Sequence, residues 1–147
     1  MQLNLEFIKL LNGQILKFKA MSKEEKDLLL RDLCGRLPYG VICNDNRHGS
    51  GRVTNIDIIP DDVEQKNGKV IVYYFDFDEC GELKNCKPYL RPMSSMTEEE
   101  RKEYGLILCD ELSINQFDWL NAHHFDYRGL IEKGLAFEAP EGMYKTK

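Results

Sequence analysis

No stretch of this chain approaches the roughly 18–20 consecutive apolar residues that a membrane-spanning helix requires. The most apolar segment, MQLNLEFIKLLNGQILKFKAM, is interrupted by Glu6, Lys9, Lys17 and Lys19. That segment also lacks a basic leader followed by a small-residue cleavage site, so it does not read as a secretion signal. The expectation is a cytoplasmic protein without a membrane partner. Basic charge is not in excess either: 20 Lys and Arg stand against 25 Asp and Glu, a net charge of −5. Non-specific binding to nucleic acid is driven by neutralising phosphates, and this balance disfavours it. Internal repeats and low-complexity segments are also lacking.

The signatures of familiar chemistries fall short one by one. Cys34, Cys43, Cys80, Cys86 and Cys109 make an odd number, which suits free thiols, some buried, better than a disulfide framework. Cys80 and Cys86 are separated by five residues, whereas common zinc knuckles use two to four. Asp76-Phe77-Asp78-Glu79-Cys80-Gly81 begins like a calcium loop, but Cys80 and Lys87 stand where oxygen ligands are needed, so it reads as a hairpin turn. His48-Gly49-Ser50-Gly51 lacks the Lys-Ser/Thr of a phosphate loop. Cys109, His123 and Asp126 could be imagined as a nucleophilic triad, yet no strained elbow surrounds the cysteine. No cofactor and no metal site are expected.

What is present is a globular composition with 42% hydrophobic and 31% charged residues in 147 positions, enough for one domain with a core. Leu3–Lys19 forms two apolar-rich runs around Asn12-Gly13, the preferred pair for a tight hairpin turn; the competing reading is a short helix broken at Gly13. Ser22 and Glu25 form a capping box, followed by a helix with Leu29, Leu30, Leu33 and Cys34 on one face and Gly35 placed to end it. GVICND, GRVTNIDII, KVIVYYFDF and CKPYLRP read as short strands between turn-rich clusters. In the third of these both alternating sets are apolar or aromatic, as in a strand covered on both faces. Thr97 and Glu100 form a second capping box, with a helix fading near Gly105. Ser113 and Gln116 form a third, with Leu112 and Phe117 as a hydrophobic staple and Ile114, Phe117 and Leu120 turned inward.

The expected fold class is α+β: a small bent antiparallel sheet or SH3-like barrel, with one helix before and two after. Residues 1–20 form a hairpin extension. Residues 21–147 form a single domain, β-rich over 38–92 and helical over 97–128. Charge is uneven, since residues 97–147 carry eleven acidic and six basic residues.

Asn121-Ala122-His123-His124-Phe125-Asp126-Tyr127-Arg128-Gly129 invites a metal or catalytic reading. Metal-binding histidines on one helix are usually four residues apart, whereas His123 and His124 are neighbours and diverge by about 100°. A helix terminus accounts for the stretch better. His124 packs, His123 bonds the last carbonyls, Asp126 pairs with Arg128 across the turn, and Gly129 relaxes the backbone. Trp119, His123, Tyr127 and Arg128 are the candidate binding residues, because such side chains often anchor protein interfaces.

LCGRLPYG (33–40), CKPYLRPMSSMTEEE (86–100), DWLNAHHFDYRGLI (118–131) and GLAFEAPEGMY (134–144) resemble a family of small uncharacterised proteins. That family is common in Bacteroides-type gut bacteria and in their phages and mobile elements. The resemblance implies a bacterial or phage origin and no established activity. Its members tend to begin near the position of Met21. The expected function is a non-enzymatic protein–protein interaction module of such a host or mobile element. The alternatives are a nucleic-acid-associated accessory factor, using Tyr73, Tyr74 and Phe75 beside Arg52, Lys87 and Arg91, and a metal-dependent enzyme using His123, His124 and Asp126.

Overall fold

The computed structural model describes residues 6–11, 14–19, 21–59, 70–77 and 79–144. The hairpin expected at the N-terminus is present. β1 (Glu6–Leu11) pairs antiparallel with β2 (Gln14–Lys19), with Leu11 opposite Gln14. Asn12-Gly13 itself lies outside the described residues. The pair forms a two-stranded sheet of its own.

α1 (Lys23–Arg36) starts at the expected capping box. The Glu25 backbone N–H donates to the Ser22 hydroxyl and the Ser22 N–H to the Glu25 carboxylate, both at 3.1 Å. Leu29 and Leu33 are buried as expected and Leu30 packs half-buried against the same core, but Asp32 and Arg36 are buried too and Cys34 is exposed. Gly35 does not end the helix. A Cβ there would lie 3.1 Å from the Asn121 side-chain nitrogen, so glycine lets a later helix approach closely. The chain instead leaves α1 through a 3₁₀ turn, Leu37–Tyr39, and reverses at Gly40 with φ +71°, a conformation cheap only for glycine.

The middle of the chain is an antiparallel meander of β3 (Ile42–Asp45), β4 (Gly49–Ile59), β5 (Val70–Phe75) and β6 (Cys80–Glu82). β7 (Cys86–Pro92) returns to pair antiparallel with β3. The calcium-like hexapeptide runs from the turn after β5 into β6, where the Phe75 N–H donates to the Glu79 carbonyl at 2.8 Å; Asp78 lies outside the described residues. Two short later strands, β8 (Phe125–Asp126) and β9 (Phe137–Glu138), pair parallel with β7. The seven-stranded sheet, with β6, β5, β4, β3, β7 and β8 in order and β9 also on β7, is therefore mixed and open. The expected α+β class holds, with one helix before this sheet and two after its main strands, while the sheet is mixed through β8 and β9 and is not closed as a barrel. A register shift between Val53 and Asn55 marks a bulge in the long β4, the device that bends a sheet.

The strand expected to be covered on both faces is covered mainly on one. Tyr73 and Phe75 are buried and Val72 and Tyr74 half-buried. Alternation of this kind is what one sheet face packed on a core produces. That core joins α1 to the sheet through Leu29, Leu33, Val41, Cys43, Val53 and Leu90.

α2 (Glu98–Leu108) begins at the second capping box, with Thr97 and Glu100 exchanging both hydrogen bonds, and runs past Gly105. Its end is unusual. The Glu111 N–H donates to the Leu106 carbonyl and the Asp110 N–H to the Ile107 carbonyl, at 3.0 and 3.2 Å, while Asp110 adopts φ +59°. This is a Schellman termination with aspartate where glycine is favoured. The carboxylate also faces the negative end of the helix dipole. α3 (Gln116–Ala122) is not capped by the expected Ser113–Gln116 box. The Asn115 side chain accepts from both Phe117 and Asp118 N–H groups, at 2.9 and 3.2 Å. The start of the helix consequently falls later, and Ile114 and Phe117 point outward instead of inward, at 44% and 49% exposure.

We expect Asp110→Gly to stabilise the fold by about 1 kcal/mol, by relieving the left-handed backbone and the dipole together. Urea unfolding checks this, and a loss of stability would contradict the helix termination described.

Candidate functional site

The stretch 121–129 begins as a helix terminus. His123 is the C-cap of α3, and His124 follows in the left-handed region with φ +63°. The His124 N–H donates to the Asn121 carbonyl at 3.1 Å. The two imidazoles then diverge. His123 stacks on Trp119 with centroids 4.0 Å apart, and its Nδ1 lies 2.8 Å from the Trp119 carbonyl, which places the proton on that nitrogen. His124 is buried and stacks on Tyr144 instead, with centroids 3.6 Å apart; it does not pack on the Phe117 and Leu120 side of α3.

Asp126 does not pair with Arg128. Its two carboxylate oxygens accept from the Leu130 and Ile131 N–H groups at 2.9 and 3.0 Å, capping the following turn. Arg128 reaches back to Asp32 of α1, Nε to Oδ1 at 3.2 Å. Asp32 also holds Arg36 by two bonds, Nε to Oδ2 at 2.8 Å and Nη2 to Oδ1 at 3.1 Å. Arg36 donates a further bond to the Phe125 carbonyl at 2.6 Å. The Tyr127 hydroxyl donates to Asn121 Oδ1 at 2.9 Å and receives Arg128 at 3.2 Å. Both guanidinium groups lie over the Tyr127 ring, at 5.4 and 5.0 Å.

All four candidate binding residues are thereby committed to structure. Trp119 is buried, and His123, Tyr127 and Arg128 are half-buried. The structure stacks Trp119 and His123 towards Phe125 and sets Arg128 against Tyr127, but does not turn the four outward as a free patch. Sequence reasoning missed Asp32, Arg36 and Asn121. An acid and a base four residues apart on a helix usually form a surface pair, and nothing local marks this one as buried.

The catalytic and metal readings lose their geometry. His123 spends Nδ1 on a carbonyl, Asp126 spends both oxygens on backbone, and Cys109 is exposed at the end of α2. Among the described residues no three His, Cys, Asp or Glu side chains are gathered to hold a metal ion. The base-stacking platform is also missing in part, since Tyr73 and Phe75 belong to the core. Arg91 is held by Glu100 at 2.7 and 2.8 Å. That pairing keeps the Glu100 carboxyl well below the usual range, at about 2, chiefly through its hydrogen bonds to Arg91.

A different surface does face outward. Leu106, Leu108, Ile114 and Phe117 are 41%, 55%, 44% and 49% exposed. They occupy twelve consecutive positions where α2 gives way to α3. Phe117 touches Tyr127, with ring centroids 5.5 Å apart. No lysine or arginine occurs between Lys102 and Arg128, whereas Glu103, Asp110, Glu111, Asp118 and Asp126 do. The first four of these acids are exposed, as are Arg101 and Lys102 one turn before Leu106 on α2. The corner thus exposes apolar side chains in a stretch of chain whose charges are acidic.

Comparisons with protein-family models, with curated proteins and with solved structures found no match. No helix among the described residues is long and apolar enough to cross a membrane.

His124 supplies a pH test of the joint. Burial lowers its pKa to about 4, with Arg36, His123, Arg91 and Arg52 adding repulsion. The unfolded chain takes up this proton near pH 6.5 and the folded chain only near 4. Stability from this residue is therefore full above pH 6.5 and is lost as pH falls towards 4, on the order of 3 kcal/mol. His124→Asn keeps a residue tolerant of positive φ and removes the titration. Its unfolding free energy should vary less than that of the wild type between pH 7 and 4.5. Parallel profiles would contradict the buried neutral imidazole.

Proposed function

We propose that this chain is a non-enzymatic protein–protein interaction module that docks through the α2–α3 corner. Its partner presents an apolar patch bordered by lysine or arginine. The observation carrying this reading is the run of four exposed large apolar side chains within residues 106–117, in a stretch whose charged residues are all acidic. Monomeric surfaces scatter single hydrophobic residues, whereas a cluster with a charged border marks a contact site. The termination of α2 supports it. Asp110 accepts a left-handed backbone and an unfavourable dipole, the kind of local cost that accompanies function. Acidic groups at the rim speed encounter with a basic partner and reject acidic ones.

The setting we propose is the cytoplasm of a bacterial host or the products of its phages and mobile elements, on the strength of the family resemblance. A nucleic-acid-associated role gains no observation of its own.

Affinity purification from the native host, with nuclease treatment, tests the proposal. Leu108→Glu/Phe117→Glu should lose the protein partners of the wild type while keeping its circular dichroism spectrum. Ile58→Glu/Ile59→Glu, at exposed apolar positions on β4, should keep them. Equal partner sets in all three, or partners lost on nuclease treatment, would overturn the reading.

A further inference from the structure

We propose that residues 139–144 form a proton-operated latch. The strap is fastened through Tyr144, and when His124 beneath it takes up a proton the strap opens while the rest of the domain stays folded.

The fastening is narrow. Just past β9 the Ala139 N–H donates to the Leu90 carbonyl at 2.7 Å. Pro140, Glu141 and Gly142 are then exposed, and the Met143 N–H closes a turn on the Pro140 carbonyl at 3.1 Å. Among the described residues, the hydrogen bonds from 140–144 to the rest of the chain are all made by the Tyr144 hydroxyl. It accepts the Ile42 N–H and donates to the Tyr89 carbonyl, both at 2.8 Å. Ile42 and Tyr89 adjoin the Cys43–Pro88 pair of the β3–β7 ladder, so the hydroxyl takes the place of one rung between the strands. Lifting Tyr144 frees that rung and leaves the pairs from Cys43 to Asp45 intact. A short segment with one buried anchor opens at a fraction of the cost of global unfolding.

The trigger lies under the anchor. The Tyr144 ring stacks on the His124 imidazole, with planes 13° apart, and His124 is 6% exposed. The charged groups facing that imidazole are Arg36 of α1, His123 at the end of α3, Arg91 of β7 and Arg52 of β4. None is acidic, and Asp32 and Glu100 are spent on Arg36 and Arg91. Burial first, and these cations second, lower the pKa of the closed imidazole to about 4. Tyr144, whose own pKa burial raises, stays uncharged throughout. Once the ring lifts, water reaches the imidazole and its pKa returns towards the ordinary 6.5. The open strap therefore binds the proton more tightly than the closed one. Its population stays low above pH 6.5 and rises about tenfold for each unit that pH falls from there towards 4.

Amide exchange followed residue by residue in the full chain tests the latch, with rates corrected for their intrinsic pH dependence. The Ile42 N–H reports the strap, because its partner is Tyr144. The Leu33 N–H, on the buried side of α1, reports the fold. Between pH 6.5 and 4.5 protection at Ile42 should fall about tenfold per unit. At every pH it should lie at least roughly tenfold below that at Leu33. His124→Asn should flatten the pH dependence at Ile42. Equal protection at Ile42 and Leu33 would mean that the strap opens only with the whole domain, and would overturn the latch. So would protection at Ile42 that ignores pH, or a folded His124→Asn chain that keeps the wild-type slope. Should His124→Asn fail to fold, the two amides of the wild-type chain decide the matter without it.

Discussion

The guanidinium of Arg36 lies wholly out of water, and the placement of both halves of this molecule follows from what it bonds. Burying a charge costs several kcal/mol unless a counter-charge and further hydrogen bonds satisfy it. Asp32, one turn earlier on α1, supplies the counter-charge through two bonds. The Phe125 carbonyl, 89 positions away, supplies a third partner. That last bond fastens the first helix to the strand following α3, and Gly35 against Asn121 lets the helices come close enough to make it. Arg128 adds a second cation to the same carboxylate. Two positive groups on one negative one leave an excess, and the face of the Tyr127 ring lies against both, where its quadrupole offsets part of it.

Phe125 joins this network to an apolar cluster that it forms with Met96, Ile107, Trp119 and Leu120. Its carbonyl serves Arg36 while its ring lies under Arg91, 4.2 Å from the guanidinium carbon. Arg91 is oriented by Glu100, the same residue that completes the capping box of α2. A single carboxylate thus begins a helix and fixes the arginine that packs on Phe125. On the far side Tyr144 closes the structure. Its hydroxyl donates to the Tyr89 carbonyl and receives the Ile42 N–H, both at 2.8 Å, bridging β3 and β7 while its ring covers His124. Burial pushes its pKa upward, so the hydroxyl stays a donor. With so many side chains of 119–128 engaged inward, the apolar and acidic side chains left exposed nearby are those of residues 106–118.

Local chemistry was the legible part of the sequence. The capping boxes at Ser22 and Thr97 and the pairing of β1 with β2 depend on residues a few positions apart, and each formed as read. The helix terminus at His123 was also legible, because adjacent histidines cannot share a helix face. Most failures came where a distant contact decided the outcome. Gly35 reads as a stop signal, but Asn121 gives it its purpose. Asp32 and Arg36 carry no local sign of burial, which the contact with the Phe125 carbonyl decides. Ser113 has the right neighbour at Gln116, yet Asn115 wins because its amide oxygen reaches two N–H groups at once. That shift carried Phe117 from the expected core to the surface. The parallel pairing of β8 and β9 had no signal at all, since two-residue strands carry no periodicity.

Equilibrium unfolding of Asp32→Ala tests most directly whether this buried charge network holds the two halves together. The substitution leaves Arg36 buried without its counter-charge and frees Arg128. The network account predicts a loss of about 3–5 kcal/mol, as when one partner of a buried pair is removed. It also predicts that amide exchange will quicken at residues 119–128 together with α1. A loss below about 1 kcal/mol, the range of a surface ion pair, would contradict it and return Asp32 and Arg36 to the solvated face that their spacing suggests.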